Sequence, residues 1–254
     1  IAYWEEAWQP DIMLVVVDEA QSFAQRQLYG VAQKLHLTDA QLTQVNFGRM
    51  RFTDGSMSTR KGNILLLKDL LNEAENRARK LVDERSHGLD LDERAQAAHI
   101  LAISSIKYNI LSQNRLSDIV FDWSSMLNFE GNSAPYLTYT LVRLRSLLAK
   151  AAHDQKSQTG DEDDAWAEAV ERELVLQLEQ YGDTFRRAIN EQKPSHIANY
   201  AFSLAQKYNR LYNNLPINQA NGDTRVVRLQ LSASVERTLT HAFRCLGLVT
   251  PAKM

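Results

Sequence analysis

The feature that most limits the possible folds is a helical spacing of apolar side chains through most of the chain after residue 69. The spacing is clearest between Ser195 and Pro216, where apolar side chains recur every three or four residues and predict one long amphipathic helix. Its apolar face is predicted to contain Ile197, Tyr200, Ala201, Leu204, Tyr208 and Leu211.

Other helices are predicted from the residues that begin and end them. Asp69 and Ser133 are candidate N-caps, and Pro135 suits the first turn of a helix. Gly182 and Gly247 are candidates for the residue that follows a helix end. Because long helices joined by short loops pack side by side, roughly 150 C-terminal residues are predicted to form an antiparallel helical bundle.

The first 48 residues have a different pattern. The run from Ile12 to Val17 is rich in β-branched residues and predicts a strand buried on both faces, as in a parallel sheet. Apolar residues between 23 and 35 then recur at roughly helical spacing, and "TQVNFG" predicts a second strand that ends at Gly48. This β–α–β order is typical of the end of an α/β unit.

The most unusual stretch is "FTDGSMSTRKGNILLL", residues 52–67, which follows the second predicted strand. Its two glycines allow the backbone to approach a ligand closely, and Ser58 and Thr59 add hydroxyl donors beside the cations Arg60 and Lys61. Such a loop can hold a polyphosphate and stabilise the charge of a transition state. An ordinary solvated loop is the alternative, and the order of residues is not that of a Walker P-loop.

The charge of the chain neither indicates nor excludes a nucleic-acid partner. Its 254 residues carry a formal net charge of −2, so any affinity for RNA must come from a local basic patch. Such a patch would form if the basic residues of three predicted helices converged on one face of the bundle. These residues are Arg143, Arg145, Lys150, Arg186, Arg187, Lys207 and Arg210.

Cysteine, histidine and hydropathy patterns exclude several classes of protein. The single cysteine, Cys245, excludes an internal disulfide framework, fits the cytoplasm and is predicted to lie in the core. The six histidines have no pair at metal-ligand spacing, so no metal site is predicted. No apolar run reaches the roughly 18 residues that span a bilayer, and no secretory signal is present, so no membrane partner is expected.

Several collinear stretches resemble arginyl-tRNA synthetases, a family of class I aminoacyl-tRNA synthetases. "MSTRKGN" with "ILLLKDLLNEA" is similar to the second class-defining motif in its arginine-specific form. "IAYWEEAWQPDIMLVVVDEAQSFAQRQL" looks like the last crossover of the Rossmann-like catalytic domain. "FDWSSMLNFEGNSAPYLTY", "LAQKYNRLYNNLPI" and "GLVTPAKM" resemble parts of the helical anticodon-binding domain.

The resemblance implies an ATP-dependent ligase that attaches arginine to its tRNA, with ATP and Mg²⁺ as substrate and no tightly bound cofactor. Arg60 and Lys61 match the catalytic cations of the motif loop, and Gln21 matches a glutamine that faces the arginine substrate. The ATP-binding positions are Met57, Ser58, Thr59, Arg60 and Lys61.

For tRNA, the resemblance implies that the helical domain binds the anticodon loop of arginine isoacceptors. Tyr136 and Arg143 lie on the helix that the family presents to this loop, and Tyr212 and Met254 lie in segments that also approach it. Tyrosine can stack on a splayed base while arginine binds the backbone or a base. The alternative is that Tyr136 and Tyr212 fill the core between helices. The expected protein is a cytoplasmic monomer.

The resemblance also implies three segments: residues 1–68 as the end of the catalytic domain, 69–95 as a connecting helix, and 96–254 as the anticodon-binding domain. The chain departs from the family at Ala24, Ser56 and Ser104, and it lacks the first class-defining motif, His-x-Gly-His. We therefore expect a C-terminal part of a longer enzyme that is inactive alone. A stand-alone, catalytically inactive tRNA-binding or regulatory module and a purely structural bundle remain open.

Overall fold

The computed structural model of the protein describes residues 1–52, 66–85, 88–153, 168–220 and 222–254. The strands are β1 (Ile12–Asp18), β2 (Gln41–Phe47), β3 (Met50–Phe52) and β4 (Ile119–Phe121). The helices are α1 (Ala2–Trp8), α2 (Ser22–Lys34), α3 (Leu67–Arg85), α4 (Leu91–Leu111), α5 (Trp123–Met126), α6 (Ala134–His153), α7 (Ala169–Glu179), α8 (Tyr181–Glu191), α9 (Ser195–Asn214) and α10 (Gly222–Cys245). The predicted fold class, mainly helical after a short α/β segment, is confirmed.

These elements form two compact units. The described residues of the first unit are 1–52 and 113–121, and the second unit contains the remaining described residues between 66 and 254. The predicted segment boundaries at residues 68 and 95 stay predictions. Among the described residues, no helix combines the length and apolar character needed to cross a bilayer.

In the first unit, β1 and β2 pair in parallel and α2 connects them, so the predicted β–α–β order is confirmed. The prediction that β1 is buried on both faces is wrong. Met13 and Val17 are buried, whereas Leu14 and Val16 on the other face are 57% and 63% exposed. Side chains of a strand alternate between its faces, so only one face of this two-stranded sheet is covered.

A second two-stranded sheet joins distant parts of the chain, because β3 pairs in parallel with β4. Gly48 lies just before β3, and its backbone N–H donates to the carbonyl of Arg115 at 2.8 Å. A Cβ atom on Gly48 would lie 2.2 Å from the carbonyl oxygen of Ser117, so the close approach of the two backbones requires glycine here.

The second unit is built around α9, which packs against α6, α7, α8 and α10. The apolar face predicted for α9 is buried at every named position, because its side chains keep the helical period throughout. The largest fully buried side chains of the unit are Leu101, Tyr108, Met126, Leu137, Leu141, Leu144, Leu174, Leu204, Tyr208, Leu211 and Leu239.

Helix ends follow the predicted capping residues in part. The Tyr136 N–H donates to Ser133 Oγ at 3.3 Å at the start of α6, and Gly247 follows α10 with a φ of 63°, so both predictions are confirmed. Asp69 lies within the first turn of α3 instead of capping it. Gly182 lies in the first turn of α8 instead of ending α7. Cys245 is exposed at the end of α10, so its predicted place in the core is wrong.

Candidate functional site

A cavity of about 680 Å³ opens in the second unit between α6, the residues around the end of α9, and the segment after α10. Helix α6 supplies most of its wall, because its exposed face turns away from the core. The lining residues are Tyr139, Val142, Arg143, Arg145, Ser146, Leu147, Ala149, Lys150, Tyr212, Asn218, Ala252, Lys253 and Met254.

The guanidinium of Arg143 lies between two aromatic rings of this wall. Its Cζ atom is 4.1 Å from the ring centre of Tyr212 and 5.5 Å from that of Tyr139. Both distances fall within the range of a cation–π contact. Tyr139 is 47% exposed and Tyr212 is half-buried, so part of each side chain remains accessible to a ligand.

Asn209 fixes this arrangement from α9. Its Oδ1 accepts a hydrogen bond from the Arg143 guanidinium, and its Nδ2 donates to Tyr136 Oη at 2.8 Å and to Thr140 Oγ1 at 3.0 Å. Since an amide oxygen only accepts and an amide nitrogen only donates, these contacts determine the orientation of the amide. The Tyr136 ring packs edge-on against Phe202 at 5.4 Å between ring centres.

The cavity wall is positively charged. It contains Arg143, Arg145, Lys150 and Lys253, and no carboxylate side chain among the described residues that line it. Arg145 pairs with Glu236 at 2.8 Å and Lys253 pairs with Glu93 at 3.1 Å, so part of this charge is neutralised locally. Among the described residues, Arg143 and Lys150 form no ion pair with a carboxylate, so these two side chains can attract an anionic ligand.

Two polar atoms at the cavity have no hydrogen-bond partner among the described residues: Arg143 Nε and Asn218 Oδ1, both buried. Each atom exposes almost no surface, so its missing partner is a cost to the folded state and not a contact open to a ligand. Aromatic faces, a stacked guanidinium and cationic side chains together suit a flat, polar, anionic ligand such as a nucleotide.

Burial also affects the tyrosine beneath the site. Desolvation raises the pKa of Tyr208 to about 12, while its hydrogen bond to Ser232 and the charge of Arg143 act in the opposite direction. Tyr208 therefore stays neutral at physiological pH and serves as part of the core. Its ring centre is 6.3 Å from that of Tyr212, which links the core to the cavity wall.

Three of the four residues predicted to contact the anticodon lie on this cavity: Arg143, Tyr212 and Met254. Tyr136 is outside the lining and accepts a hydrogen bond from Asn209, which in turn bonds to Arg143 of the lining. The predicted basic patch forms only in part, since Arg143, Arg145 and Lys150 line the cavity and the other four basic residues do not. Those four are Arg186, Arg187, Lys207 and Arg210, of which Arg186, Arg187 and Arg210 form ion pairs with nearby acids.

The predicted arginine-binding residue lies in the first unit. Gln21 is exposed in the 3₁₀ turn Glu19–Gln21, directly after the carboxyl end of β1. Asp18 begins this turn by accepting a hydrogen bond from the Ala20 N–H at 2.7 Å. The predicted ATP-binding residues Met57, Ser58, Thr59, Arg60 and Lys61 lie outside the described residues.

Among the residues that make the contacts described above, sequence reasoning missed Tyr139, Asn209, Asn218 and Lys253. Asn209 could have been found, because it precedes Tyr212 by three positions and so shares its face of the helix. Asn218 and Lys253 lie outside helices, where no period predicts a partner. Within the described part of the chain, no group of three or more metal-ligating His, Cys, Asp or Glu side chains occurs.

Comparison with known families assigns both parts of the chain. The family model described as "tRNA synthetases class I (R), catalytic domain" matches residues 1–123. The model described as "DALR anticodon binding domain" matches residues 137–254. The second match contains every lining residue of the cavity.

Individual proteins agree with these matches. The arginine–tRNA ligase of Fusobacterium nucleatum is 38% identical over 208 residues, covering 82% of this chain and 37% of the ligase. That of Haemophilus ducreyi is 35% identical over 255 residues, covering 99% of this chain and 45% of the ligase. The solved Thermus thermophilus arginyl-tRNA synthetase aligns with a TM-score of 0.84 and 26% identity, covering 97% of this chain and 42% of that one. The chain thus spans less than half the length of the relatives it matches.

Proposed function

Because the chain belongs to the arginyl-tRNA synthetase family, we propose that it takes part in the ATP-dependent attachment of arginine to tRNA. In the first step the arginine carboxylate attacks the α-phosphate of ATP and pyrophosphate leaves. In the second step a ribose hydroxyl of the terminal adenosine of the tRNA attacks the arginyl-adenylate and AMP leaves.

For the first step, we assign the cations of residues 57–61 to the phosphates of ATP. Arg60 and Lys61 stabilise the negative charge that builds up as pyrophosphate leaves, and Met57, Ser58 and Thr59 complete the ATP-binding loop. Mg²⁺ arrives with the ATP phosphates. Gln21 binds the arginine substrate, which is supported by its exposed position after the carboxyl end of a parallel strand.

For tRNA recognition, we assign the cavity of the second unit to a base of the anticodon loop. The observation that carries this assignment is the Arg143 guanidinium, which lies 4.1 Å from the Tyr212 ring centre in a cation-lined cavity that Met254 also lines. A splayed base can stack on these groups, and the neighbouring phosphates can approach Lys150 and Lys253. Tyr136 contributes indirectly, by holding Asn209 in place.

Replacing Arg143 by alanine tests this assignment. We expect Arg143→Ala and Tyr212→Ala each to reduce the free energy of tRNA binding by about 1–3 kcal/mol, because each removes part of the stacking surface. Arg143→Ala should also lower the salt dependence of binding by about one phosphate contact. Arg210→Ala is the control, since Arg210 is exposed, pairs with Glu173 and lies outside the cavity.

The measurement is a titration with arginine tRNA at several salt concentrations, together with a thermal melt of each variant. A tRNA with a replaced anticodon loop should bind the unaltered chain more weakly. Equal binding of both tRNAs, or unaltered affinity in Arg143→Ala and Tyr212→Ala, would contradict the assignment. A lower melting temperature of Tyr136→Ala with unchanged tRNA affinity would assign that tyrosine to the core.

The catalytic assignment needs an active enzyme that contains this sequence. There, Arg60→Ala and Lys61→Ala should each slow formation of arginyl-adenylate by roughly 10- to 1000-fold, the range for losing one oriented transition-state donor. Single-turnover measurement of adenylate formation is the test. Normal rates in the doubly substituted enzyme would remove these two residues from the mechanism. Monomeric state and cytoplasmic location stay predictions.

A further inference from the structure

We infer that Ser104 and Lys107 of α4 are positioning residues that hold the segment after α10 against the cavity, so that recognition of the anticodon depends on α4. This inference rests on the proposed role of the cavity in tRNA binding. We call the segment concerned, residues 246–254, the tail. Its residues Ala252, Lys253 and Met254 form one wall of the cavity.

The tail begins with a tight reversal of the chain. Gly247 has a φ of 63°, and the Leu248 N–H donates to the Phe243 carbonyl at 2.9 Å across the end of α10. This bond pattern is typical of a helix that ends on a left-handed glycine. Leu246, Leu248 and Pro251 are then buried, so the start of the tail packs on the second unit.

Helix α4 holds the tail through polar contacts at three places. Ser104 Oγ donates to the Val249 carbonyl at 3.2 Å and is 3.3 Å from the Val249 N–H, which donates to it. Lys107 Nζ donates to the Gly247 carbonyl at 2.8 Å. Lys253 Nζ lies 3.1 Å from Glu93 Oε1.

The order of these contacts defines the path of the tail. Residues 107, 104 and 93 of α4 meet residues 247, 249 and 253 of the tail, so the tail runs antiparallel to the helix. The exposed pair of Glu93 and Lys253 is weak, because water and salt screen it. Ser104 is 2% exposed and bonds both backbone groups of Val249, so it is the contact that fixes the register.

The consequence is that one wall of the cavity depends on side chains outside it. Neither Ser104 nor Lys107 lines the cavity, yet both hold the tail where it leads towards Met254. Without Ser104 the Val249 backbone groups lose their partner, and without Lys107 the Gly247 carbonyl loses a donor. The last residues of the tail then gain freedom that tRNA binding must remove. We therefore expect weaker binding and poorer discrimination between anticodon loops.

The chain offers a matched control for each position. Ser105 is 1% exposed and its hydroxyl has no hydrogen-bond partner among the described residues, so Ser105→Ala should change nothing at the tail. Lys107 is exposed, and Lys107→Arg keeps a cationic donor whereas Lys107→Met removes it. Ser104→Ala removes both contacts to Val249.

We call the contacts of Ser104 and Lys107 with the tail the clamp. Hydrogen exchange in the free 254-residue chain tests the clamp in the absence of tRNA. Ser104→Ala and Lys107→Met should speed exchange of the hydrogen-bonded tail amides, those of Gly247, Leu248 and Val249, roughly 5- to 15-fold, the loss expected for one or two net hydrogen bonds. Exchange in α9 should not change, and Ser105→Ala and Lys107→Arg should match the unaltered chain. Unchanged exchange of the tail in Ser104→Ala would overturn the inference.

Titration with arginine tRNA tests the consequence. Ser104→Ala and Lys107→Met should weaken binding roughly 5- to 15-fold and lower the ratio of affinities for tRNAs with native and replaced anticodon loops. If Arg143→Ala weakens binding but neither clamp variant does, the inference fails and the proposed function stands. If Arg143→Ala and loop replacement also have no effect while tail exchange still rises, the proposed function fails, and the dependence of tRNA recognition on α4 fails with it.

Discussion

The two units of the molecule differ in where their apolar side chains lie. In the second unit, Leu204, Leu141 and Leu239 are fully buried in one continuous core. In the first unit, Leu14 on β1 and Phe23 on α2 are 57% and 65% exposed. Burying a side chain of this size stabilises a protein by about 1.5–3 kcal/mol, so the first unit has much less core to hold it together.

The difference shows which unit is self-sufficient. The second unit buries its helical faces against one another, as a bundle must. The first unit keeps one face of β1 and Phe23, Leu28 and Val31 of α2 in contact with water, and exposed apolar surface of this kind usually marks an interface. Parallel strands are normally covered on both faces, whereas β1 is covered on one face only.

The strongest test of this comparison replaces one leucine by alanine in each unit and compares the loss of stability. Leu204→Ala should reduce the free energy of unfolding by about 3–5 kcal/mol, because it leaves a cavity in the core. Leu14→Ala should cost less than about 1 kcal/mol, because its side chain is already mostly hydrated. Denaturant unfolding of the two variants measures both values, and equal losses would contradict the comparison.

A buried ion pair tests whether the second unit also depends on polar contacts. Arg228 Nε and Glu171 Oε1 are 2.6 Å apart with side chains 8% and 2% exposed, and Arg228 also donates to the Pro216 carbonyl. Glu171→Gln should cost about 3–5 kcal/mol, because it leaves a buried charge unpaired. The control is Glu173→Gln on the same helix, whose exposed pair with Arg210 should be worth about 0–1 kcal/mol. Similar losses in both variants would show that burial does not decide the effect.

Two glycine substitutions in the first unit are expected to change its stability in opposite directions. Gly48→Ala should reduce the free energy of unfolding by about 1–3 kcal/mol or more, because the new Cβ would meet the Ser117 backbone. Gly30→Ala in α2 should instead stabilise by about 0.5–1 kcal/mol, since nothing lies within 4 Å and alanine favours a helix. Thermal melts of the two variants should shift in opposite directions, and a stabilised Gly48→Ala would contradict the observed backbone contact.

The smallest effect is expected at an exposed charge cluster between α8 and α9. Hydrogen bonds from Arg187, His196 and Lys193 lower the pKa of Glu191 to about 2 from an ordinary value of 4.5. The ionised carboxylate therefore stabilises the folded state above pH 4.5, and this contribution is lost as the pH falls towards 2. The stability difference between the unaltered chain and Glu191→Gln should be constant near neutral pH and vanish over that range. A difference that persists at pH 2 would contradict the cause given for the shift.

Sequence pattern predicted the long helices because their apolar residues keep one period over many turns. It was less successful where two neighbouring faces are both apolar. In α4 the spacing of Ile100, Ile103, Ile106 and Ile110 predicts one apolar face. Of these four only Ile106 is buried, while Leu101 and Tyr108 on a neighbouring face are buried as well. Burial is decided by the neighbouring helix, and one sequence does not contain that information directly.

The same limit applies to the cavity. Arg143 and Tyr212 were selected from a family resemblance, and their contact could not be predicted from spacing because they lie on different helices. Asn209, which orients Arg143, has no sequence signal beyond its helical offset from Tyr212. The clamp formed by Ser104 was missed because its partners are backbone groups of Val249, and backbone groups carry no sequence signal.

The pairing of β3 with β4 has a consequence for synthesis of the chain on the ribosome. Met50 and Ile119 are neighbours in the sheet, so β3 has no partner in this sheet until the strand far downstream has been made. At about 5–20 residues per second, adding residues 53–119 takes roughly 3–13 s. During that interval the edge of β3 is open to pairing with another nascent chain. Completion of this sheet is therefore timed by translation through α3 and α4, and slower translation of that stretch would lengthen the exposure.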